Sequence, residues 1–162
     1  MMCPAQVVRN RRAFSLIELV IVVVIIGIIA AIAIPRMSRG AAGANDSALM
    51  GNIAVLRKAI DLYAAEHGGA FPGQATVATQ LTQYSDASGA TAASKDTTHI
   101  YGPYIRVIPT LNVGTNKGFN TFTTTNSYTA GFGWTYDATA GTVFANNPGT
   151  DVDSANKPYN TY

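Results

Sequence analysis

An apolar run near the N-terminus constrains this chain more than any other feature of its sequence. Every residue from Leu19 to Ile34 is Val, Ile, Leu, Ala or Gly, and the run extends back to Leu16. As a helix it would be about 28 Å long, which is close to the thickness of the hydrocarbon core of a bilayer. Arginines at positions 9, 11 and 12 precede it and should remain in the cytoplasm. The sequence therefore predicts a single membrane span with the C-terminal part outside.

Glu18 is the one charged residue within this apolar run. A carboxylate that faces lipid without a partner is costly, so an ionisable residue in a membrane span indicates a function by default. Neither a signal peptide nor a plain membrane anchor has a use for it. The alternative is that Glu18 lies near the membrane edge and reaches the headgroup region.

The residues around Glu18 carry a resemblance to a known family. From Arg11 to Leu19 the chain reads Arg-Arg-Ala-Phe-Ser-Leu-Ile-Glu-Leu, directly before the rest of the apolar run. This order resembles the prepilin-type cleavage and methylation motif of type IV pilins and of the pseudopilins of type II secretion. The resemblance implies that a membrane aspartyl peptidase cuts between Ala13 and Phe14, and that the new amine of Phe14 is methylated. The family usually has Gly before the cut, where this chain has the small Ala13.

Cleavage at this position would give Glu18 a role in assembly. It would be the fifth residue of the mature chain, and a buried carboxylate needs a buried cation. The Phe14 amine of a neighbouring subunit can supply that cation, which would fix the axial step of each added subunit. The resemblance also implies one long N-terminal helix that contains Pro35, where the missing N–H introduces a kink. A simple loop after Pro35 is the alternative.

Two other export signals fit parts of the same segment. Residues 31–33, Ala-Ile-Ala, match the small-x-small site of ordinary signal peptidase. Residues 11–14, Arg-Arg-Ala-Phe, resemble a twin-arginine signal. Neither signal explains Glu18 or an apolar run of this length, so the prepilin interpretation is preferred.

A second helical pattern follows the apolar run. Asn45 or Asp46 is a candidate cap if a helix restarts there, and Gly68-Gly69 after His67 predicts its end. The pattern between them predicts an amphipathic helix that buries one face in a domain core. Apolar residues recur along that face at spacings of four, three, four and three: Leu49, Ile53, Leu56, Ile60 and Tyr63.

The later part of the chain predicts a small sheet. Residues 132–136, Phe-Gly-Trp-Thr-Tyr, alternate aromatic with smaller side chains, which is typical of a strand with one aromatic face. Residues 137–141 form the predicted turn and residues 142–145 the returning strand, so the aromatic face should cover the apolar stripe of the helix. Residues 101–109 resemble the Gly-Pro-Tyr segment of major pseudopilins and predict a turn that enters another short strand.

The C-terminal segment from Asn146 to Tyr162 is polar and contains Asp151 and Asp153. Major pseudopilins of type II secretion often hold calcium in an acid-rich C-terminal loop, so the resemblance implies both aspartates as candidate calcium ligands. Oxygen ligands suit calcium, although the run matches no spacing motif for it. A solvated tail is the alternative. Because Cys3 is the one cysteine and precedes the predicted cut, the exported part has no disulfide.

Composition and motifs argue against two other classes of function. Without the three arginines before the apolar run, the chain has eight basic against nine acidic residues and no basic patch, which argues against a nucleic-acid partner. His67 and His99 have no convincing catalytic partners, and neither a phosphate-binding loop nor paired carboxylates stand out. We therefore predict a structural protein rather than an enzyme.

Together these features predict an α+β protein with the pilin fold, a long N-terminal helix packed on a small antiparallel sheet. Residues 1–13 would form a cleaved basic leader, residues 14–35 the transmembrane and assembly helix, and residues 36–162 the globular domain with the second half of the helix. The expected function is that of a subunit of a type IV pilin-like filament, most like a major pseudopilin of type II secretion. A surface type IV pilin for adhesion or motility and a membrane-anchored periplasmic binding domain are the alternatives.

The resemblance also implies partners and a location. The chain would polymerise with itself into a helical filament, after processing by a prepilin peptidase. An ATP-driven assembly platform in the bacterial inner membrane and minor pilins or pseudopilins would take part. The precursor would cross the inner membrane once, with its C-terminus outside. The assembled filament would lie in the periplasm or at the cell surface.

Overall fold

The computed structural model describes residues 14–125 and 127–162. The predicted leader at residues 1–13 lies outside the described residues. The chain divides into two compact units, Met1–Arg39 and Gly40–Tyr162. In the first unit almost every described side chain is exposed, whereas the second unit contains a buried core.

Helix α1, Leu16–Glu66, is one continuous element of 51 residues. It continues through Pro35, so the predicted long helix is confirmed and the alternative of a loop at that point is wrong. It also continues through Asn45 and Asp46, so neither residue caps a restarting helix. Alanines are frequent between positions 41 and 65, and their high helix propensity offsets the cost of the interspersed glycines.

Helix α1 ends where the sequence predicts. The amide of Gly69 donates to the carbonyl oxygen of Ala64 at 2.8 Å, and the amide of His67 donates to that of Tyr63 at 3.0 Å. Gly68 and Gly69 have positive φ values of 64° and 91°. Residues with a Cβ rarely adopt this conformation, so the two glycines turn the chain away from the helix and end it.

Two short elements follow α1 before the main sheet. Helix α2, Val77–Thr82, packs apolar side chains into the core. Strands β1, Tyr84–Ser85, and β2, Thr91–Ala92, form a two-stranded antiparallel sheet. The carboxylate of Asp86 accepts from the amide of Ser88 at 2.8 Å, an Asx-turn contact that helps to close the turn between them.

The main sheet contains the predicted hairpin. Strands β4, Trp134–Asp137, and β5, Thr142–Ala145, are antiparallel and joined by a tight turn. The predicted α+β class and the antiparallel hairpin are therefore confirmed. Strand β3, Phe122–Thr123, lies on the other side of β4 and is parallel to it. The sequence pattern does not predict this edge strand, because two residues are too few to show a period.

Buried asparagines hold the loops around the main sheet. The side-chain amides of Asn116 and Asn146 both donate to the carbonyl oxygen of Thr129, at 2.9 and 2.7 Å. The side-chain oxygen of Asn147 accepts from the amide of Asn116 at 3.2 Å. All three asparagines are almost fully buried. Unsatisfied buried amides would be costly, so these bonds select one arrangement of loops that have no regular structure.

The apolar stripe of α1 faces the aromatic side of the hairpin, as predicted. Trp134 and Tyr136 of β4 are completely buried. The indole N–H of Trp134 donates to the carbonyl oxygen of Pro109 at 2.8 Å, which satisfies its polar atom inside the core. The main buried side chains of the core come from both helices, the main sheet and the connecting loops: Leu49, Ile53, Leu56, Ile60, Tyr63, Val77, Leu81, Ile108, Leu111, Val113, Phe122, Trp134, Tyr136, Val143 and Tyr159.

Residues 101–109 do not form the predicted short strand. The amides of Tyr104 and Ile105 both donate to the carbonyl oxygen of Leu81 at 3.0 Å. The two prolines of the segment have no N–H to contribute to a ladder. Tyr101 forms an isolated antiparallel bridge with Ser85. Because the amides of Tyr104 and Ile105 are used at the end of α2, the segment does not continue this bridge as a strand.

Gly133 lies where two backbone segments approach each other beside β4. A Cβ added there would lie 2.2 Å from the carbonyl oxygen of Phe119. We expect Gly133→Ala to lower the free energy of unfolding by about 2 kcal/mol, because the backbone must shift to relieve the overlap. Chemical denaturation checks this, with Gly149→Ala as the control, since a Cβ there meets its nearest atom at 3.8 Å. Equal stability of the two variants would contradict the prediction.

Candidate processing and assembly site

Phe14 and the start of α1 form the candidate processing site. Phe14 is not helical and is 78% exposed, whereas Ala13 lies outside the described residues. The carbonyl oxygen of Ser15 accepts from the amide of Leu19 at 3.2 Å, which closes the first helical turn. The predicted cut would therefore place a new amine just before α1. A cation beside the positive end of a helix is unfavourable by itself, which favours a carboxylate partner.

Glu18 lies in the first turn of α1 and is exposed. A carboxylate is favoured at this end of a helix, because the unpaired backbone N–H groups carry partial positive charge. Within Leu16–Ile34 it is the one side chain that can form an ion pair. Pairing of Glu18 with the Phe14 amine of another subunit stays a prediction.

The first part of α1 has the length and composition of a membrane span. Within the described residues, Leu16–Ile34 is the one helical stretch long and apolar enough to cross a bilayer, and none of its 19 residues is buried. A helix that is apolar on all sides is stable only where lipid or other protein covers it. This surface therefore needs lipid around it in a precursor or protein around it in an assembly.

Pro35 directly follows this stretch and lies inside α1. Its ring nitrogen has no hydrogen to donate to the carbonyl four residues earlier, so the helix lacks one hydrogen bond at this point. The division between the two compact units falls after Arg39, about one turn later. An assembly role for Pro35 concerns a change during polymerisation, and it stays a prediction.

The second half of α1 exposes apolar side chains on the side away from the core. Val55 and Leu62 are 50% and 45% exposed, although Leu56 on the same helix is fully buried. Val55 and Leu62 are seven residues apart, so they lie on one side of the helix. Met50 is also half exposed. Met50 lies about a third of a turn around the helix from both, so we call only Val55 and Leu62 the outer row.

The two candidate calcium ligands are engaged as hydrogen-bond acceptors. One carboxylate oxygen of Asp153 accepts from two backbone amides of its own loop at 2.7 and 2.8 Å, and the other accepts from the hydroxyl of Tyr162. Asp151 accepts from the amide of Thr115. In this structure these oxygens face donor hydrogens of the chain itself, and calcium binding by Asp151 and Asp153 stays a prediction. In residues 14–125 and 127–162, no three His, Cys, Asp or Glu side chains cluster as metal ligands do.

The interpretation of the C-terminal segment as a solvated tail is wrong. Val152 forms a β-bridge with Pro158, and a 3₁₀ helix, Tyr159–Thr161, follows. Asn147 and Tyr159 are buried. The segment is folded because its polar groups find partners elsewhere in the unit, which composition alone does not reveal.

Asp46 is a buried acceptor, a role that the sequence pattern does not predict. It is 7% exposed and accepts from the hydroxyls of Ser154 and Tyr159, each at 2.8 Å. Burial raises the pKa of Asp46, but the hydrogen bonds from these two residues outweigh burial and hold the pKa below its usual value. Burial and the nearby carboxylate raise the pKa of Tyr159 to about 12. The spacing in the sequence could have indicated that Asp46 is buried, since it lies three residues before Leu49 and therefore on the same face of the helix.

Both histidines contact neighbouring loops. The His67 ring stacks on Tyr63 with centroids 3.8 Å apart, and its nitrogens lie 2.8 and 2.9 Å from the carbonyl oxygens of Tyr63 and Asp86. The Nδ1 atom of His99 lies 2.8 Å from the carboxylate of Asp96. Hydrogen bonds to Asp96, first from the backbone amide of His99 and then from its ring, lower the pKa of that carboxyl to about 2. These contacts order the loops beside the end of α1.

A surface cleft of about 500 Å³ opens beside α2 in the second unit. Its lining includes the apolar residues Val77, Val107 and Phe132, and Arg106 supplies a cation. An apolar cleft with one charged group is the usual form of a small-molecule site. It is the feature that a ligand-binding role would use.

Comparison with known proteins identifies one family model. Residues 8–34 match the prokaryotic N-terminal methylation motif. No curated protein and no solved structure matches the chain significantly. The matched range contains Ala13, Phe14 and Glu18, so the family model falls on the residues that carried the resemblance in the sequence.

The chain thus carries the N-terminal signature of the type IV pilin-like proteins. This signature, together with the long apolar helix and the small sheets, supports a pilin-like or pseudopilin subunit in general. The motif implies processing by a prepilin peptidase, pilus-type assembly and a membrane-anchored precursor. It is a structural motif of pilin-type proteins and does not define an enzyme family.

Proposed function

We propose that this chain is a filament subunit that is cut between Ala13 and Phe14, and that it serves type II secretion as a major-pseudopilin-like component. The observation that carries the filament role is that three features lie together in one short segment: the methylation motif, the exposed apolar helix and Glu18. The methylation motif ends in an exposed apolar helix, and the first turn of that helix holds Glu18. An anchor alone would need the apolar helix but not the other two features.

The proposed assembly step exchanges lipid for protein around α1. In the membrane, Leu16–Ile34 contacts acyl chains. In the filament, the same apolar surfaces contact each other, which retains their burial from water. Glu18 meets the methylated amine of Phe14 from a neighbouring subunit, and the pair neutralises two charges that would each be costly alone. Only one axial offset brings the two groups together, so charge sets the register.

The outer row supports contact between subunits along the second half of α1. Val55 and Leu62 leave apolar area in water in the single chain. Burying such area against a second copy is favourable by about 25 cal/mol per Å². The filament would then bury both halves of one helix, the first as the former membrane span and the second through the outer row.

The choice of secretion over a surface pilus has two supports. The exported part contains no cysteine, so its fold does not depend on a disulfide. Residues 102–104, Gly-Pro-Tyr, resemble the corresponding segment of major pseudopilins. A Cβ at Gly102 would lie 2.9 Å from the carbonyl oxygen of Gln83, and its φ is +66°, so the turn requires Gly. A surface type IV pilin for adhesion or motility is the second candidate, and long extracellular filaments built from this chain would favour it.

A membrane-anchored periplasmic binding domain is the candidate from another class. The cleft beside α2, with Arg106 in its lining, is the observation that favours it. This function requires an uncut N-terminus and a monomeric protein, and it leaves Glu18 without a role.

Mass spectrometry of the N-terminal peptide tests the proposal. We expect protein from membranes and from sheared filaments to begin at methylated Phe14. Cleavage at the alternative signal-peptidase site would place the N-terminus at Ile34, and a fixed anchor would retain Met1 or Met2. Either of those two results would contradict the filament function.

A further inference from the structure

One carboxylate attaches the C-terminal segment, residues 146–162, to helix α1. The hydroxyl of Tyr159 donates to Oδ1 of Asp46 at 2.8 Å. Ser154 donates to Oδ2 of Asp46 through its hydroxyl at 2.8 Å and its amide at 3.1 Å. These donors lie 108 and 113 positions away along the chain. Asp46 therefore closes a loop that contains most of the second unit.

A second carboxylate shapes the segment itself. Oδ1 of Asp153 accepts from the amides of Ala155 and Lys157 at 2.7 and 2.8 Å, and Oδ2 accepts from the hydroxyl of Tyr162. The amide of Asp153 donates to the carbonyl oxygen of Lys157 at 2.9 Å. The Lys157 ammonium lies 3.7 Å from the centre of the Tyr162 ring. All of these contacts use donors from the segment.

The donor set differs from that of a calcium loop. Calcium takes six to eight oxygen ligands whose lone pairs point at the ion. At Asp46 and Asp153, both carboxylate oxygens face N–H or O–H hydrogens, which carry partial positive charge. Asp151 also accepts an amide N–H, from Thr115. The acidic groups near the segment act as acceptors for the chain's own donors.

We propose that Asp46, Ser154 and Tyr159 form a carboxylate latch that holds the C-terminal segment on α1, and that this latch closes without calcium. Small exported domains commonly use disulfides or metal ions to hold such segments. This chain has no cysteine after Cys3, and the latch fills that role with hydrogen bonds to a charged acceptor. The contacts lie within one compact unit, so the inference does not depend on the filament function.

Hydrogen–deuterium exchange of the full-length protein in detergent micelles tests the latch. Peptides that cover residues 150–162 are compared with and without calcium, and after addition of EGTA. We expect the same exchange rates in all three conditions. In Asp46→Asn we expect exchange in this segment to rise by about tenfold, because hydrogen bonds to a charged acceptor are lost. Asp61→Asn is the control, since Asp61 is an exposed acid on the same helix.

Two results would overturn the proposal. Loss of protection in the natural sequence after EGTA would mean that calcium holds the segment. Equal exchange in Asp46→Asn and Asp61→Asn would mean that Asp46 does not hold it. If Asp46→Asn unfolds the whole domain, Tyr159→Phe tests the latch instead, because this substitution removes one hydrogen-bond donor to Asp46 and keeps the aromatic ring. We expect it to raise exchange in residues 150–162 by about fivefold, and unchanged exchange would overturn the latch.

Discussion

Replacing Glu18 with Gln is expected to reduce the fraction of subunits found in filaments by at least about 100-fold. The precursor should still insert into the membrane and should still be cut before Phe14. The substitution removes one partner of the proposed ion pair and keeps the shape of the side chain. An uncompensated buried cation costs about 3–5 kcal/mol, and a cost of this size lowers the equilibrium constant of assembly by about 100-fold or more. The amount of subunit in sheared filaments, relative to the amount in membranes, measures the effect.

The control for this experiment is Asp61→Asn, which neutralises an exposed acid further along α1. It should assemble as the natural sequence does. The N-terminal peptide of each variant must begin at Phe14, so that a failure of cleavage is distinguished from a failure of assembly. Normal filament yield from Glu18→Gln would contradict the ion pair. It would favour the alternative in which Glu18 reaches the headgroup region.

Truncation of Leu56 to Ala is expected to lower the free energy of unfolding by about 3 kcal/mol, because it removes a fully buried side chain and leaves a cavity. Leu62→Ala on the same helix should change it by less than about 0.5 kcal/mol, because Leu62 is 45% exposed. Chemical denaturation of the full-length protein in micelles, followed by the fluorescence of the buried Trp134, compares them. If both variants lose a similar amount of unfolding free energy, this would contradict the assignment of Leu56 to the buried face of α1 and of Leu62 to the exposed face.

Local patterns in the sequence were sufficient to predict the processing motif around Ala13, Phe14 and Glu18. The apolar run, Glu18 and the residues around Ala13 and Phe14 are contiguous, so their order alone predicted the motif that the family model matches at residues 8–34. The burial of the stripe from Leu49 to Tyr63 also followed from sequence, because a helix fixes which residues share a face.

The edge strand and the segment at residues 101–109 show where local patterns stop being informative. Strand β3 consists of Phe122–Thr123 and pairs in parallel with β4, and the loop that follows it is held at Thr129 by the buried Asn116 and Asn146. Residues 104–108 suited a strand, but the amides of Tyr104 and Ile105 donate to the carbonyl oxygen of Leu81 at the end of α2. In both cases the decisive hydrogen bonds join residues that are far apart in sequence.

By itself, the sequence determined the membrane-like helix, the processing motif, the buried stripe of α1 and the aromatic hairpin. Each of these depends on neighbouring residues and on the fixed period of a helix or a strand. Only the tertiary structure decided the function of Asp46, which the sequence suggested as a helix cap. Its partners, Ser154 and Tyr159, are brought to it by the folding of the whole second unit. A carboxylate becomes a buried acceptor only when distant donors satisfy it, and local sequence does not specify those donors.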